Sequence, residues 1–117
     1  LTALLALATS LGMGALVEAH EPEAFRRVLA TGAPVVGVNA RDLRHPGTLD
    51  RRRIDTLAGE VTGERILVAE SGIGAVSDAE QLPQRVDAVL VGTALVAADD
   101  PAPLLRALAG VRRPGPR

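Results

Sequence analysis

The 117-residue sequence predicts an α/β fold with a parallel sheet, on three observations. Four short apolar runs recur along the chain, each run is nearly continuous rather than alternating, and each is followed by a helical pattern. Continuous apolar runs are typical of strands that are buried on both faces, as the strands of parallel sheets are. Repeated strand–helix units favour either an open doubly wound sheet or part of a closed barrel.

The four predicted strands are rich in β-branched residues and are spaced at about one strand–helix unit each. They are Ala15-Leu16-Val17, Val35-Val36-Gly37-Val38, Ile66-Leu67-Val68-Ala69 and Ala88-Val89-Leu90-Val91. A further helix is predicted upstream of the first strand, because apolar residues recur there at helical spacing up to Gly12. Its stripe consists of Leu1, Leu4, Leu5, Ala8 and Leu11.

Helix start and stop signals follow each predicted strand. The first of these helices begins near Glu21-Pro22, where proline suits the first turn, and stops at Gly32. The second ends near Gly59, and a short third one spans roughly Val76 to Leu82. The last opens at Asp99-Asp100-Pro101, with Asp100 as a good N-cap. The predicted apolar faces carry Phe25, Val28 and Leu29 in the first helix, Ile54, Leu57 and Ala58 in the second, and Leu104, Leu105 and Leu108 in the last.

Composition excludes several classes of function. Aromatic residues make up 1% of the chain, too few for platforms on which bases or sugars stack, and the net charge of −1 argues against nucleic-acid and anionic-membrane partners. No cysteine is present, so disulfides, thiol catalysis and cysteine-based metal sites are excluded. No apolar run reaches membrane-spanning length, and a cytoplasmic protein is expected.

All 13 basic residues counted as Lys and Arg are arginines. Arginine does not readily lose its proton, so it cannot replace lysine as a general acid or as a Schiff-base former. This chain by itself therefore cannot catalyse reactions that need a lysine.

Polar residues or glycines follow each predicted strand. They are Glu18, Asn39, Glu70-Ser71-Gly72 and Gly92-Thr93. In parallel α/β folds ligands bind at the carboxyl ends of the strands, so these groups should converge on one small-molecule site. The small residues and hydroxyls of the last two turns predict a phosphate site, with Thr93 to Val96 as the short extra helix found beside such sites in barrels.

Ordinary structural roles are open for several of these residues. Glu18 could pair with Arg41, and Asn39 could cap the turn that follows it. His20 is more typical of a helix start or of packing than of catalysis, and His45 has no evident partner. The run from Arg51 to Arg53 predicts a solvated helix face.

Five motif-like segments follow one another along the chain. They are Leu11-Gly12-Met13, Leu16-Val17-Glu18-Ala19-His20, Gly37-Val38-Asn39-Ala40-Arg41-Asp42-Leu43, Ala69-Glu70-Ser71-Gly72-Ile73 and Asp87-Ala88-Val89-Leu90-Val91-Gly92. In this order they resemble the second half of indole-3-glycerol-phosphate synthase, a (β/α)8 TIM barrel. The resemblance runs from about Leu1 to Gly110. It implies helix four and βα units five to eight of the barrel over residues 1–111. The tail at 112–117 is rich in Pro, Gly and Arg, and this composition predicts disorder.

The resemblance also implies a reaction and a site. The family closes the ring of 1-(2-carboxyphenylamino)-1-deoxyribulose 5-phosphate, with loss of carbon dioxide and water, to give indole-3-glycerol phosphate. By resemblance Glu18 is the acid–base carboxylate, while Asn39 and Glu70 position and polarise the substrate. Arg41 would lie near the anthranilate carboxylate. The phosphate would be held by Ser71, Gly72, Gly92 and Thr93, and neither a metal nor an organic cofactor is implied.

Departures from the family qualify this reading. The family's essential lysines lie in the first half of the barrel, Thr93 stands where serine is frequent, and Gly74-Ala75-Val76-Ser77 lacks the usual Thr-Pro helix start. A full barrel takes about 250 residues, so an incomplete enzyme is expected, inactive alone and inclined to self-associate or to pair with an N-terminal half-barrel. Two alternatives stay open. One is another phosphate-binding barrel, such as phosphoribosylanthranilate isomerase or a thiamine-phosphate-synthase-like protein, and the other is a non-catalytic phosphate-binding half-barrel.

Overall fold

Helices and strands alternate along the chain in a computed structural model, which describes residues 1–112. The tail predicted at 112–117 lies outside the described residues, apart from Arg112 itself. In chain order the elements are α1 (Thr2–Ser10), β1 (Leu16–Ala19), α2 (Pro22–Ala30), β2 (Val35–Asn39), α3 (Arg52–Ala58), β3 (Ile66–Glu70), α4 (Val76–Glu80), β4 (Ala88–Leu90), α5 (Thr93–Val96) and α6 (Pro101–Ala109).

The four strands form one parallel sheet in the order β1-β2-β3-β4. Sequential strands are therefore neighbours throughout, as in a barrel wall, and the parallel sheet predicted from the apolar runs is confirmed. The register sets Glu18 beside Gly37 and Asn39 beside Glu70. Within the described residues, β1 and β4 each have one strand neighbour and form the two edges of the sheet.

One face of the sheet is sealed by the helices. Because side chains alternate along a strand, every second residue points to this face. All of them on the first three strands are at most 8% exposed, and they join residues of α2 and α3 in a single core. The strand members of this core are Val17, Ala19, Val36, Val38, Leu67 and Ala69, and the most deeply buried helix members are Phe25, Val28, Ile54, Leu57 and Ala58.

The opposite face, called here the inner face, lacks such a cover within the described residues. Leu16 is 39% exposed, Ile66 46% and Leu90 48%. The inner face also carries Glu18 and Glu70, at the carboxyl ends of β1 and β3. Apolar residues and carboxyl groups thus share this face, on which Glu18 is exposed while Val68 and Glu70 are buried.

The helix signals read from the sequence are largely confirmed. Pro22 occupies the first turn of α2, and the Asp100 side chain accepts a hydrogen bond from the N–H of Ala102 at 3.0 Å, as an N-cap does. The stripe of α1, in contrast, is not buried within the described residues, and Leu105 of α6 is exposed. None of the helices between residues 1 and 112 is long and apolar enough to cross a membrane.

The strand ends differ by one or two residues from the prediction. Glu18, Asn39 and Glu70 lie within their strands rather than after them, while Val91 lies beyond β4. The end of a strand is difficult to predict from nearby residues, because hydrogen bonding to the neighbouring strand decides where it ends. The difference matters for the site, because strand residues have a fixed direction relative to the sheet.

Candidate active site

Three of the predicted site residues share the inner face of the sheet. Glu18 lies on β1, Asn39 is the last residue of β2 and Glu70 is the last residue of β3. Glu18 is opposite Gly37, which is two residues before Asn39 on the same face, and Asn39 is opposite Glu70. The convergence predicted for the carboxyl ends of the strands is therefore present in the backbone register.

Glu70 is a buried carboxyl group beside a second carboxyl group. It is 4% exposed, and its Oε1 has no hydrogen-bond partner among the described residues. Loss of solvation raises the pKa of Glu70 to about 8, and a hydrogen bond and charge repulsion from Glu18 add to the rise. At neutral pH Glu70 therefore holds a proton.

Asn39 ties the turn after β2 to the turn after β3. Its Oδ1 accepts hydrogen bonds from the N–H of Arg41 at 2.9 Å and from the hydroxyl of Ser71 at 2.8 Å. The first bond caps the turn after β2, which is the structural role that the sequence allowed for Asn39. The second joins Asn39 to the predicted phosphate-binding turn, so both readings describe the same side chain.

Ser71 and Gly72 form a turn in which both residues have positive φ, of 69° and 73°. Glycine adopts this conformation without strain, whereas a serine there is unusual and must be held by its surroundings. The hydroxyl bond to Asn39 provides such a restraint. The positive φ favours glycine at position 72, and a Cβ there would also be tightly packed, 3.1 Å from Leu49 and 3.2 Å from Arg51.

Arg41 does not form the ion pair with Glu18 that the sequence allowed. Within the described residues its only side-chain hydrogen bond runs from Nη1 to the carbonyl oxygen of Pro46, at 2.5 Å. The β2–α3 loop folds back on itself through the bridge between Arg41 and Leu49, and this directs Arg41 away from β1. Its guanidinium group is thus not neutralised by Glu18.

A cavity of about 530 Å³ lies between the turns after β3 and β4. Its lining includes all five residues predicted to bind the substrate and its phosphate, together with Gly74, Asp78 and Ala94 among others. Those five are Arg41, Ser71, Gly72, Gly92 and Thr93. The short helix predicted at Thr93 to Val96 is present as α5, and Gly92 immediately precedes it. The three residues on the sheet, Glu18, Asn39 and Glu70, do not line this cavity.

Two residues beside the cavity were missed by sequence reasoning. Arg51 donates to Oδ1 of Asp78 at 2.6 Å and to its carbonyl oxygen at 3.2 Å, across 27 residues of sequence. The other carboxylate oxygen of Asp78 accepts the N–H groups of Gly74 and Ala75, both at 2.9 Å. These backbone bonds, followed by Arg51, hold the pKa of Asp78 below its usual range.

The arginine run is therefore only partly the solvated face that its composition predicted. Arg52 is exposed and pairs locally with Asp50 at 3.0 Å, but Arg51 and Arg53 are partly buried. Side chains at consecutive helix positions point in different directions, so a run of three arginines does not show which of them faces the protein. The position of Asp78 in the first turn of α4 could have identified it. The usual Thr-Pro helix start is missing here, so another side chain has to bond the free N–H groups.

The two histidines lie outside the cavity, and both lie close to Asp42. His20 is 9% exposed, and its Nε2 lies 3.2 Å from Oδ1 of Asp42, while His45 Nδ1 lies 3.6 Å from Oδ2. Asp42 also accepts the N–H groups of Arg44 and His45, and these bonds contribute to lowering its pKa. The packing role predicted for His20 agrees with this burial, and His45 has the partner that the sequence did not reveal.

Comparison with known proteins gives a consistent result. The family model described as indole-3-glycerol phosphate synthase matches residues 1–108. The chain is 44% identical to indole-3-glycerol phosphate synthase 2 of Streptomyces coelicolor, over 94% of this chain and 43% of that protein. It is 48% identical to the indole-3-glycerol phosphate synthase of Roseiflexus castenholzii, over 94% of this chain and 42% of that protein. The chain thus spans about two fifths of the length of these curated relatives.

Proposed function

Because the chain belongs to the indole-3-glycerol phosphate synthase family, we propose that it supplies part of a synthase active site. The proposed reaction closes the ring of 1-(2-carboxyphenylamino)-1-deoxyribulose 5-phosphate, releases carbon dioxide and water, and yields indole-3-glycerol phosphate. One observation carries the proposal. A single cavity is lined by the five residues expected to bind the substrate and its phosphate, and the carboxyl groups expected to act on it lie on the adjoining sheet.

The cavity is the proposed phosphate end of the site. Ser71 and Gly72 expose backbone in a left-handed turn, and Gly92 and Thr93 add a small residue and a hydroxyl. Such turns bind phosphate through N–H and O–H donors. Arg41, which lines the same cavity, supplies a permanent positive charge for a carboxylate or phosphate oxygen.

The sheet is the proposed catalytic end of the site. Glu18 is exposed on the inner face and is assigned the acid–base step of dehydration. Glu70, protonated at neutral pH, can donate a hydrogen bond to the substrate, and Asn39 orients the turn that carries Arg41 and Ser71. These assignments give each inner-face polar group a distinct task.

A lysine must come from elsewhere for the reaction to proceed, since the chain contains none. We propose that a matching N-terminal half-barrel of the same family covers the inner face and provides it. Such a half would pair with the two edge strands, β1 and β4. It would also bury the exposed side chains of Leu16, Ile66 and Leu90. The cytoplasmic location expected from the sequence belongs to the same proposal.

The test is an assay of indole-3-glycerol phosphate formation. The chain is assayed alone and then mixed with the N-terminal half of the Streptomyces coelicolor relative, expressed separately. We expect turnover only in the mixture, because only the mixture contains both the lysine and the cavity. Glu18→Gln in this chain serves as the matched control and should reduce the rate of the mixture by about 100-fold or more.

Two outcomes would contradict the proposal. Turnover by the chain alone would show that no lysine is needed. A folded one-to-one complex without turnover would show that the two halves do not form a synthase site. In the second case, retained binding of inorganic phosphate would favour the non-catalytic phosphate-binding module.

A further inference from the structure

Gly37 lies between the two carboxyl groups of the inner face. It pairs with Glu18 across β1 and β2, and it stands two residues before Asn39, the partner of Glu70. A Cβ at this position would overlap Oε1 of Glu70 and would lie 3.1 Å from Cβ of Glu18. The Glu70 side chain therefore occupies the space that any other residue at position 37 would fill.

The conformation of Gly37 does not explain the glycine. It lies inside a regular strand, where other residues fit, and its φ is outside the left-handed range that favours glycine. Glycine in a strand interior weakens the strand, and it often marks a place where another group approaches closely. Here the approaching group is the Glu70 carboxyl, which is buried and lacks a partner at Oε1.

We propose that Gly37 is a positioning residue, whose missing side chain allows the Glu70 carboxyl to lie across β2 against Glu18. With Gly37 in place, the Glu70 carboxyl group and Cβ of Glu18 both lie against the position that a Cβ of residue 37 would take. Burial and the neighbouring Glu18 together favour the protonated form of Glu70. Glu70 thus presents a protonated carboxyl group next to Glu18 at neutral pH.

The catalytic meaning of this pair rests on the proposed function, but the positioning itself does not. Glu18 is the proposed acid–base group, and Gly37 lets the protonated Glu70 carboxyl lie beside it. The positioning of Glu70 can be measured in the isolated chain without any turnover. The inference can therefore fail while the synthase assay succeeds, and the reverse is equally possible.

The experiment follows the titration of the Glu70 side-chain carboxyl by ¹³C NMR, with Glu70→Gln used to assign the signal. In the parent chain we expect a midpoint near pH 8. In Gly37→Ala the added methyl group displaces the flexible end of Glu70 towards the open inner face, and the midpoint should fall by about one pH unit or more. Gly59→Ala is the matched control. Gly59 has no heavy atom within 4 Å of a Cβ and should leave the midpoint unchanged.

A second variant keeps the inference testable if Gly37→Ala does not fold. Glu70→Asp adds no atom to the core, and its shorter side chain cannot reach across β2 to Glu18. Its carboxyl group should titrate well below pH 8. The inference is overturned if Gly37→Ala folds and titrates like the parent chain. It is also overturned if Gly37→Ala is unfolded and Glu70→Asp keeps the midpoint of the parent chain.

Discussion

At the scale of single residues, Glu70 links stability to pH. Its pKa is about 8 in the folded chain, against a usual value of 4.5 for an unperturbed glutamate. Between these two values the folded chain holds one proton more than the unfolded chain. The free energy of unfolding therefore decreases as pH rises from about 5 to about 8, and the destabilisation is complete above the folded pKa.

Replacing Glu70 with glutamine should remove this pH dependence, because an amide does not ionise. We expect the parent chain to lose about 3 kcal/mol relative to Glu70→Gln between pH 5.5 and pH 8.5. Urea unfolding of both chains at the two pH values measures this difference, and any histidine titration is common to both. Equal pH dependence in the two chains would contradict a buried, protonated Glu70.

At the scale of secondary-structure elements, Arg51 connects α3 to the start of α4. It donates two hydrogen bonds to Asp78, and its aliphatic carbons lie 3.2 to 3.4 Å from a Cβ position at Gly72. Asp78 in turn lines the proposed phosphate cavity and bonds the backbone of Gly74 and Ala75. A carboxylate in a phosphate site is repulsive, so Arg51 neutralises the charge that orders this turn.

Arg51→Met should weaken binding of inorganic phosphate by about 3-fold, because the charge of Asp78 is then unopposed. Adding Asp78→Asn to that variant should restore much of the affinity, since the repulsive charge is removed. Arg52→Met is the matched control, because Arg52 is exposed and pairs locally with Asp50. Isothermal titration with phosphate measures all four chains. A double variant that binds no better than Arg51→Met would show that Arg51 contacts the anion directly instead.

At the scale of the whole molecule, the two faces of the sheet differ in what covers them. The helices seal one face, where Phe25, Ile54 and Leu67 are at most 1% exposed. On the inner face Leu16, Ile66 and Leu90 keep 39% to 48% of their surface in contact with solvent. Family membership confirms the predicted barrel type, in which eight strands close on themselves and the inner residues pack in layers.

Leu90→Gln should weaken binding to the separately expressed N-terminal half by about 10-fold, since burial of a leucine in the closed barrel contributes roughly 1.5–3 kcal/mol. Leu105→Gln is the matched control, because Leu105 is 54% exposed on α6 and lies outside the inner face. Sedimentation velocity of each mixture measures the dissociation constant. Equal effects of the two substitutions would show that the inner face is not the binding surface.

The sequence by itself determined the kind of fold and predicted a set of site residues. Strand and helix patterns are local, so the apolar runs, Pro22 and Asp100 could be read from neighbouring residues alone. The repetition left an open sheet and a barrel as alternatives, and the structure shows the barrel-like order β1-β2-β3-β4. The motif around Asn39 and that around Glu70 identified the family, and the comparisons confirm it.

Only the tertiary structure decided how the site residues act on one another. Glu18 and Glu70 lie close together because of the strand register and because Gly37 has no side chain. The residues next to each glutamate in sequence reveal neither of these causes. Arg51 reaches Asp78 across 27 residues, and Arg41 turns away from Glu18 because its loop folds back. Charges and burial depend on distances in space, whereas a sequence specifies directly only the distances along the chain.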